Sequence, residues 1–225
     1  MNKKIFLTIL VLLLIINPIL PWIPARTVTA ENARSYTVTD TKFYNKLKTG
    51  IFAGNDNAAT ANDQDQTITI DTEAVTRIRM NLGNVKITDG NNKEILEALF
   101  RDCTKLKTLF LINCDLSSVD FSNLADNSDI SLLYLDACYI SDISFLQNMH
   151  NLKFLSLGDN KLTDDSLSAL RSMSSNLSGL TELNLGMLVH QTNGQTTMSG
   201  PTSLNKFTNT ADLASIPEYF PNLTK

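Results

Sequence analysis

Three segments of this chain repeat one apolar spacing: LKTLFLINCDL (Leu106 to Leu116), ISLLYLDACYI (Ile130 to Ile140) and LKFLSLGDNKL (Leu152 to Leu162). Each has apolar residues at its first, fourth, sixth and eleventh places and a Cys or Asn at its ninth: Cys114, Cys138 and Asn160. Along an extended strand the fourth and sixth places point the same way, so each segment has an apolar edge that it cannot bury by itself. A unit of this kind, repeated, must stack on its neighbours around a shared core.

The spacing L-x-x-L-x-L-x-x-N/C-x-L is that of the leucine-rich repeat. Two weaker copies flank the three full ones. LTELNLGMLVH (Leu180 to His190) keeps Leu180, Leu183 and Leu185 but has Leu188 at the ninth place and His190 at the last, and VTRIRMNLGNV (Val75 to Val85) is weaker still. The ninth places fall at 83, 114, 138, 160 and 188, in steps of 31, 24, 22 and 28 residues. The longer steps hold helix-sized inserts: in NNKEILEALFRDC the apolar Ile95, Leu96, Leu99, Phe100 and Cys103 recur at threes and fours. DDSLSALRSM (Asp164 to Met173) reads likewise, with Asp as an N-cap candidate.

The short step carries SDISFLQNMHNLKFLSL, Ser141 to Leu157. This run resembles the TDI-x-PL-x-NL-x-NL-x-x-L-x-L run of the internalin-like bacterial surface proteins, and the resemblance covers about half the chain. It implies an α/β fold: a curved leucine-rich-repeat solenoid with parallel strands on the concave face, a mixed helix and 3-10 convex side, and an N-terminal helical cap. The uneven periods, the cysteines and the lack of a visible wall anchor depart from the family.

At the amino end, Lys3 and Lys4 precede the run IFLTILVLLLIINPIL, and Val28 to Ala30 supplies small residues for cleavage before Glu31. This reads as a secretory signal peptide; an uncleaved anchor helix is the alternative, against which Asn17, Pro18 and Pro21 interrupt the run. The expected organisation is a signal peptide over 1–30, a cap and polar loop over 31–74, repeats over 75–190, and over 191–225 an irregular loop and the start of an incomplete further repeat. Without the signal, 16 basic residues face 23 acidic ones, a net charge of −7. That argues against a nucleic-acid partner, which needs a basic surface, and no second apolar run suggests membrane insertion after cleavage.

In the cap, TDTKFYNKLKTGI (Thr39 to Ile51) places Phe43, Leu47 and Ile51 at fours, as an amphipathic helix does. AGNDNAATANDQDQ then reads as a polar loop. Its Asp63, Asp65, Thr67 and Asp71 loosely follow a calcium loop, but Ile68 and Ala74 stand where that loop needs Gly and Glu, so a solvated loop without metal is expected. Cys114 and Cys138, at ladder positions of adjacent units, and Cys103, on a helix face, are expected to be buried thiols. A Cys114–Cys138 bridge is the alternative, which stacked parallel Cβ vectors suit poorly. Beyond His190 the Thr/Asn/Gly-rich excursion reads as a long loop, and Leu223 as the first leucine of a further repeat, so the chain reads as a piece of a longer protein.

No catalytic equipment emerges. His150 and His190 lie in different units without a triad-like or ligand-spaced neighbourhood, so no enzyme activity and no cofactor are expected. The strands do mark a surface. The third, fifth and seventh places face away from the leucines and bring Phe110, Ile112, Leu132, Tyr134 and Phe154 together on the middle units, with Asp136 on the same face, Arg77 and Arg79 at one rim and Glu182 at the other. Contiguous apolar residues rimmed by charge mark binding sites; cover of the patch by another part of the chain or by a neighbouring domain, and a different strand register, are the alternatives. The resemblance implies an exported module of a Gram-positive bacterium, secreted or held at the cell wall, that recognises or adheres to a protein or glycan at a cell surface. A rigid spacer in a longer surface protein, or a substrate-selecting domain of an enzyme extending past residue 225, are the competing functions.

Overall fold

The computed structural model describes residues 31–55, 57–125, 129–186, 188–192, 195–199 and 205–224; the segment read as a signal peptide lies outside them. The described chain is mixed α/β, organised around a five-stranded parallel sheet. Its strands are β4 (Arg77–Asn81), β5 (Thr108–Ile112), β6 (Leu132–Tyr134), β7 (Phe154–Ser156) and β8 (Glu182–Asn184), and they neighbour one another in chain order. Ile78, Leu109, Leu133, Leu155 and Leu183 are aligned across it. The first four are fully buried and Leu183 partly so. Each such side chain contributes about 1.5–3 kcal/mol by leaving water, which is what holds successive units together.

The chain returns from each strand by a different device: α2 (Asn92–Asp102), the short α3 (Ser122–Ala125), a 3-10 turn (Ser144–Asn148) and α4 (Asp164–Ser172). The helices fall in the longer steps, where Ile95, Leu96, Leu99 and Phe100 of α2 and Leu167 and Leu170 of α4 are buried. Phe100, Phe121 and Phe145 link three returns by ring stacking at 5.6 and 4.8 Å.

Ahead of the sheet, α1 (Thr41–Phe52) packs on β4, its N-terminus capped by Asp40, whose Oδ1 accepts from Lys42 N at 2.8 Å. Gly50 permits the close approach, since a Cβ there would stand 2.5 Å from Arg79 O and from Met80 Cγ. The expected polar loop needs correction. β1 (Ala33–Thr37), β2 (Ala59–Asn62) and β3 (Thr67–Asp71) form an antiparallel sheet in the order β1-β3-β2. The physical reason is the alternation TITID: Ile68 and Ile70 are fully buried, while Thr67 and Thr69 form hydroxyl pairs with Thr37 and Ser35 at 2.9 and 2.8 Å. The acidic residues of this stretch serve the hairpin and the helix beside it. Asp65 Oδ1 accepts from Thr67 N at 3.1 Å, and Asp63 Oδ1 from Tyr44 Oη and Lys48 Nζ at 2.5 and 2.6 Å.

Within the sheet, position two of each unit offers one carbonyl to two amides of the next. Thr76 O accepts from Lys107 N and Thr108 N, Lys107 O from Ser131 N and Leu132 N, and Ser131 O from Lys153 N and Phe154 N. β4 has no preceding strand of this sheet, and there Asn55 supplies the missing carbonyl. Its Oδ1 accepts from Thr76 N at 2.9 Å and Arg77 N at 3.0 Å, and its Nδ2 donates to Ile51 O at 2.6 Å.

The ladder residue after each strand is a second device. Asn160, fully buried, donates through Nδ2 to Leu135 O at 2.6 Å and Gly158 O at 3.2 Å, and accepts through Oδ1 from Cys138 N at 3.1 Å and Ile140 N at 3.0 Å. The single Cys138 S–H is shared between the equivalent carbonyls one unit earlier, with Sγ 3.3 Å from Leu111 O and 3.2 Å from Asp136 O. Cys103, Cys114 and Cys138 are buried free thiols.

The fourth ladder position is not residue 188, nor is the closing apolar place His190. Leu188–Thr192 is a strand (β9) paired antiparallel with β10 (Gln195–Ser199), so a hairpin occupies what reads from sequence as ladder turn and loop. The ladder position is Asn205: its Nδ2 donates to Leu157 O at 3.0 Å and Leu185 O at 2.9 Å, and its Oδ1 accepts from Leu162 N at 2.9 Å. Phe207 then takes the closing apolar place and packs on the core. The expected irregular tail also holds two short helices, α5 (Thr210–Ala214) and α6 (Ile216–Tyr219). Beyond them Thr224 N donates to Thr181 O at 2.8 Å, so Leu223 stands in the register of Leu180.

Candidate binding face of the parallel sheet

Strand alternation turns the leucines inward and leaves the odd places on the opposite face, with burial alternating exposed and buried along β4 and half-buried and buried along β5 and β6. Register then sorts these residues into rows. Arg77, Thr108, Leu132, Phe154 and Glu182 form one, and Arg79, Phe110, Tyr134, Ser156 and Asn184 the next. Asn81 and Ile112 are paired further along.

Four of these side chains, Arg79, Phe110, Tyr134 and Phe154, lie against one another in a definite order. Arg79 lies over the Phe110 ring with Cζ 5.2 Å from its centroid, Phe110 and Tyr134 are 5.2 Å apart and tilted by 49°, and Tyr134 stacks on Phe154 at 4.3 Å. Arg77, Arg79, Thr108, Phe110, Leu132 and Tyr134 line an open cavity of about 250 Å³ on this face. Thr108 has no apolar or charged signal to single it out, yet register places it between Arg77 and Leu132. Ile112 sits at the far end of β5, outside the ring stack.

Asp136 differs from the freely presented face residue expected. It is a half-buried acceptor: its Oδ1 takes hydrogen bonds from Ser156 Oγ at 2.6 Å and Gly158 N at 2.7 Å, and Asn184 Nδ2 donates to Ser156 Oγ at 2.9 Å. Burial raises the Asp136 pKa above its ordinary value, against the opposing pull of the Ser156 and Gly158 hydrogen bonds. Glu182 remains on the face, half-buried, at the opposite end of its row from Arg77.

A larger hollow of about 560 Å³ lies on the return side, between the segments that include α3 and the 3-10 turn. Its two carboxylates act locally, Asp120 on Ser122 N and Asp142 on Ser144 N, each at 2.8 Å. His150 is exposed, its Nδ1 3.4 Å from Asn176 O; the His190 side chain lies outside the described residues. Among the described residues no helix is long and apolar enough to cross a membrane.

Neither a protein-family model nor a curated protein matches this chain. Among solved structures, an internalin (inlF) from Listeria monocytogenes str. 4b F2365 is 21% identical over 52% of this chain and 34% of its own, with a TM-score of 0.33. An internalin C2 (inlC2) from the same strain is 21% identical over 83% of this chain and 82% of its own, with a TM-score of 0.34. The chain thus spans about a third of the length of the first. At these scores neither likeness bears on what the face binds.

Proposed function

We propose that this chain is an exported leucine-rich-repeat solenoid whose sheet face recognises a protein at a cell surface. The observation that carries the reading is the run Arg79, Phe110, Tyr134, Phe154, in which each side chain lies against the next across four strands. Side chains pre-ordered in this way lose little further conformational freedom on binding, which is what makes aromatics and arginine effective interface anchors. Export rests on the apolar amino end and its small-residue cleavage site.

The test is binding of the labelled protein to host epithelial cells and to bacterial cell walls, alongside a Tyr134→Ser/Phe154→Ser form checked for folding by circular dichroism. Saturable binding that the folded variant loses is the expected result. Equal binding by both forms would remove the face from the mechanism.

A further inference from the structure

We infer that the cavity beside Arg77 and Arg79 is an acid-binding subsite, taking the carboxylate of an Asp or Glu side chain presented by the partner protein. The inference rests on the reading of the sheet face as protein-binding and adds the chemistry of what is bound. Three observations carry it.

The first is charge. Arg77 and Arg79 are exposed, stand two residues apart on β4, roughly 6.8 Å along one face, and belong to none of the ion pairs among the described residues. A guanidinium is a planar donor fork matched to a carboxylate. The chain after residue 30 carries a net charge of −7, so this pair is a local cationic site on an otherwise acidic molecule.

The second is the state of the rings. Phe110 has the Arg79 guanidinium over its ring and Tyr134 packed against it, and Tyr134 lies between Phe110 and Phe154. These contacts take up part of the face area of the two rings that line the cavity, so a ligand there is taken to meet their edges. Ring edges carry the positive end of the quadrupole and favour an anion. A sugar would need an open ring face to stack on, which favours a protein partner over a glycan.

The third is size and polarity. About 250 Å³ bounded by Leu132, the two rings, the Thr108 hydroxyl and two guanidinium groups suits a short apolar arm ending in a carboxylate. The face also has a direction, since its row begins at Arg77 and ends at Glu182, so an acidic segment docks at the β4–β5 end and is repelled from β8.

The experiment is selection of a random dodecapeptide phage library on the purified protein. Selected peptides are expected to share an Asp or Glu, and replacing that residue by its amide should weaken binding about tenfold. The Arg77→Gln/Arg79→Gln protein should lose the same factor for the acidic peptide and none for its amide form. Peptides whose binding needs Tyr134 and Phe154 but ignores both charge removals would overturn the acid subsite and leave the face reading intact. Peptides that bind the Tyr134→Ser/Phe154→Ser form equally well, or no selection together with no binding of a sialylated glycan, would overturn both. Arginine-dependent binding of a sialylated glycan without any selected peptide would overturn the choice of a protein ligand.

Discussion

Asn205 repeats the role of Asn160 one unit later although 45 residues separate them. Each amide donates to the carbonyl at the sixth place of the preceding unit, Leu135 for Asn160 and Leu157 for Asn205, and each accepts from the amide that closes that unit, Ile140 and Leu162. The hairpin β9–β10 is spliced between β8 and its own ladder residue, so the stacking of backbone polar groups continues past the insertion.

Asn160→Ala should therefore be severe. It leaves the Cys138 and Ile140 amides and the Leu135 carbonyl without their partner, while Gly158 O keeps Ala137 N; at about 1–3 kcal/mol for each group left unpaired, a loss of at least ~3 kcal/mol is expected in urea unfolding. Asn160→Cys should be milder, because the one S–H of Cys138 already serves the two equivalent carbonyls by lying within reach of both. Equal losses for Ala and Cys would mean that accepting, not donating, is what matters at the ladder.

Asn55 gives a second stability test at the opposite end of the sheet. Asn55→Ala removes the acceptor for Thr76 N and Arg77 N and opens the joint between α1 and β4. About 2 kcal/mol is expected, with amide exchange accelerated first at Ile78 and Met80. Asn55→Asp keeps the acceptor but loses the donor to Ile51 O and Arg77 O and sets a buried carboxylate against both carbonyls, so at neutral pH it should be no milder than Asn55→Ala. Uniformly faster exchange through Leu155 would instead indicate that the cap and sheet unfold as one unit.

The difference between these two asparagines shows how far a sequence reaches. Asn160 is legible because its apolar neighbours lie at fixed offsets, and so are the face residues, whose direction follows from strand alternation alone. Asn205 is not, because its unit is interrupted: the leucines at 180, 183 and 185 lead the reading on to Leu188 and His190, and nothing local marks the resumption at Asn205, Lys206 and Phe207. Ile68 and Ile70 were open to the same misreading, since a strand of only five residues follows a polar turn. The mutual stacking of Phe110, Tyr134 and Phe154 and the burial of Asp136 depend on cross-strand register and on neighbours two units away, which no local pattern encodes.

The cysteines make a chemical prediction. Cys103 and Cys138 are fully buried and Cys114 is nearly so. Burial, with the charge of Asp102 adding to it, pushes the Cys103 thiol up to about 12. Hydrogen bonding to Cys138, then burial, raises that of Cys114. Because the thiolate is the reactive form, native protein should react with no equivalent of Ellman's reagent at about pH 8, and three thiols should appear on unfolding in guanidinium. A single thiol in the unfolded protein would show that Cys114 and Cys138 are bridged.

Asp136 sets a pH dependence whose sign follows from its position. Its native pKa lies above the ordinary 3.8 because burial disfavours the charged carboxylate. Below that ordinary value both folded and unfolded states are protonated and the residue costs nothing; as pH rises through the higher native value the folded state loses the advantage of holding the proton. Asp136→Asn keeps an oxygen able to accept from Ser156 Oγ and Gly158 N and cannot ionise. The melting temperature of Asp136→Asn relative to the parent should thus rise from about pH 3.5 toward neutrality and then level off. A relative stability that falls over the same interval would mean that the hydrogen bonds from Ser156 and Gly158 outweigh desolvation and that the native pKa of Asp136 is depressed.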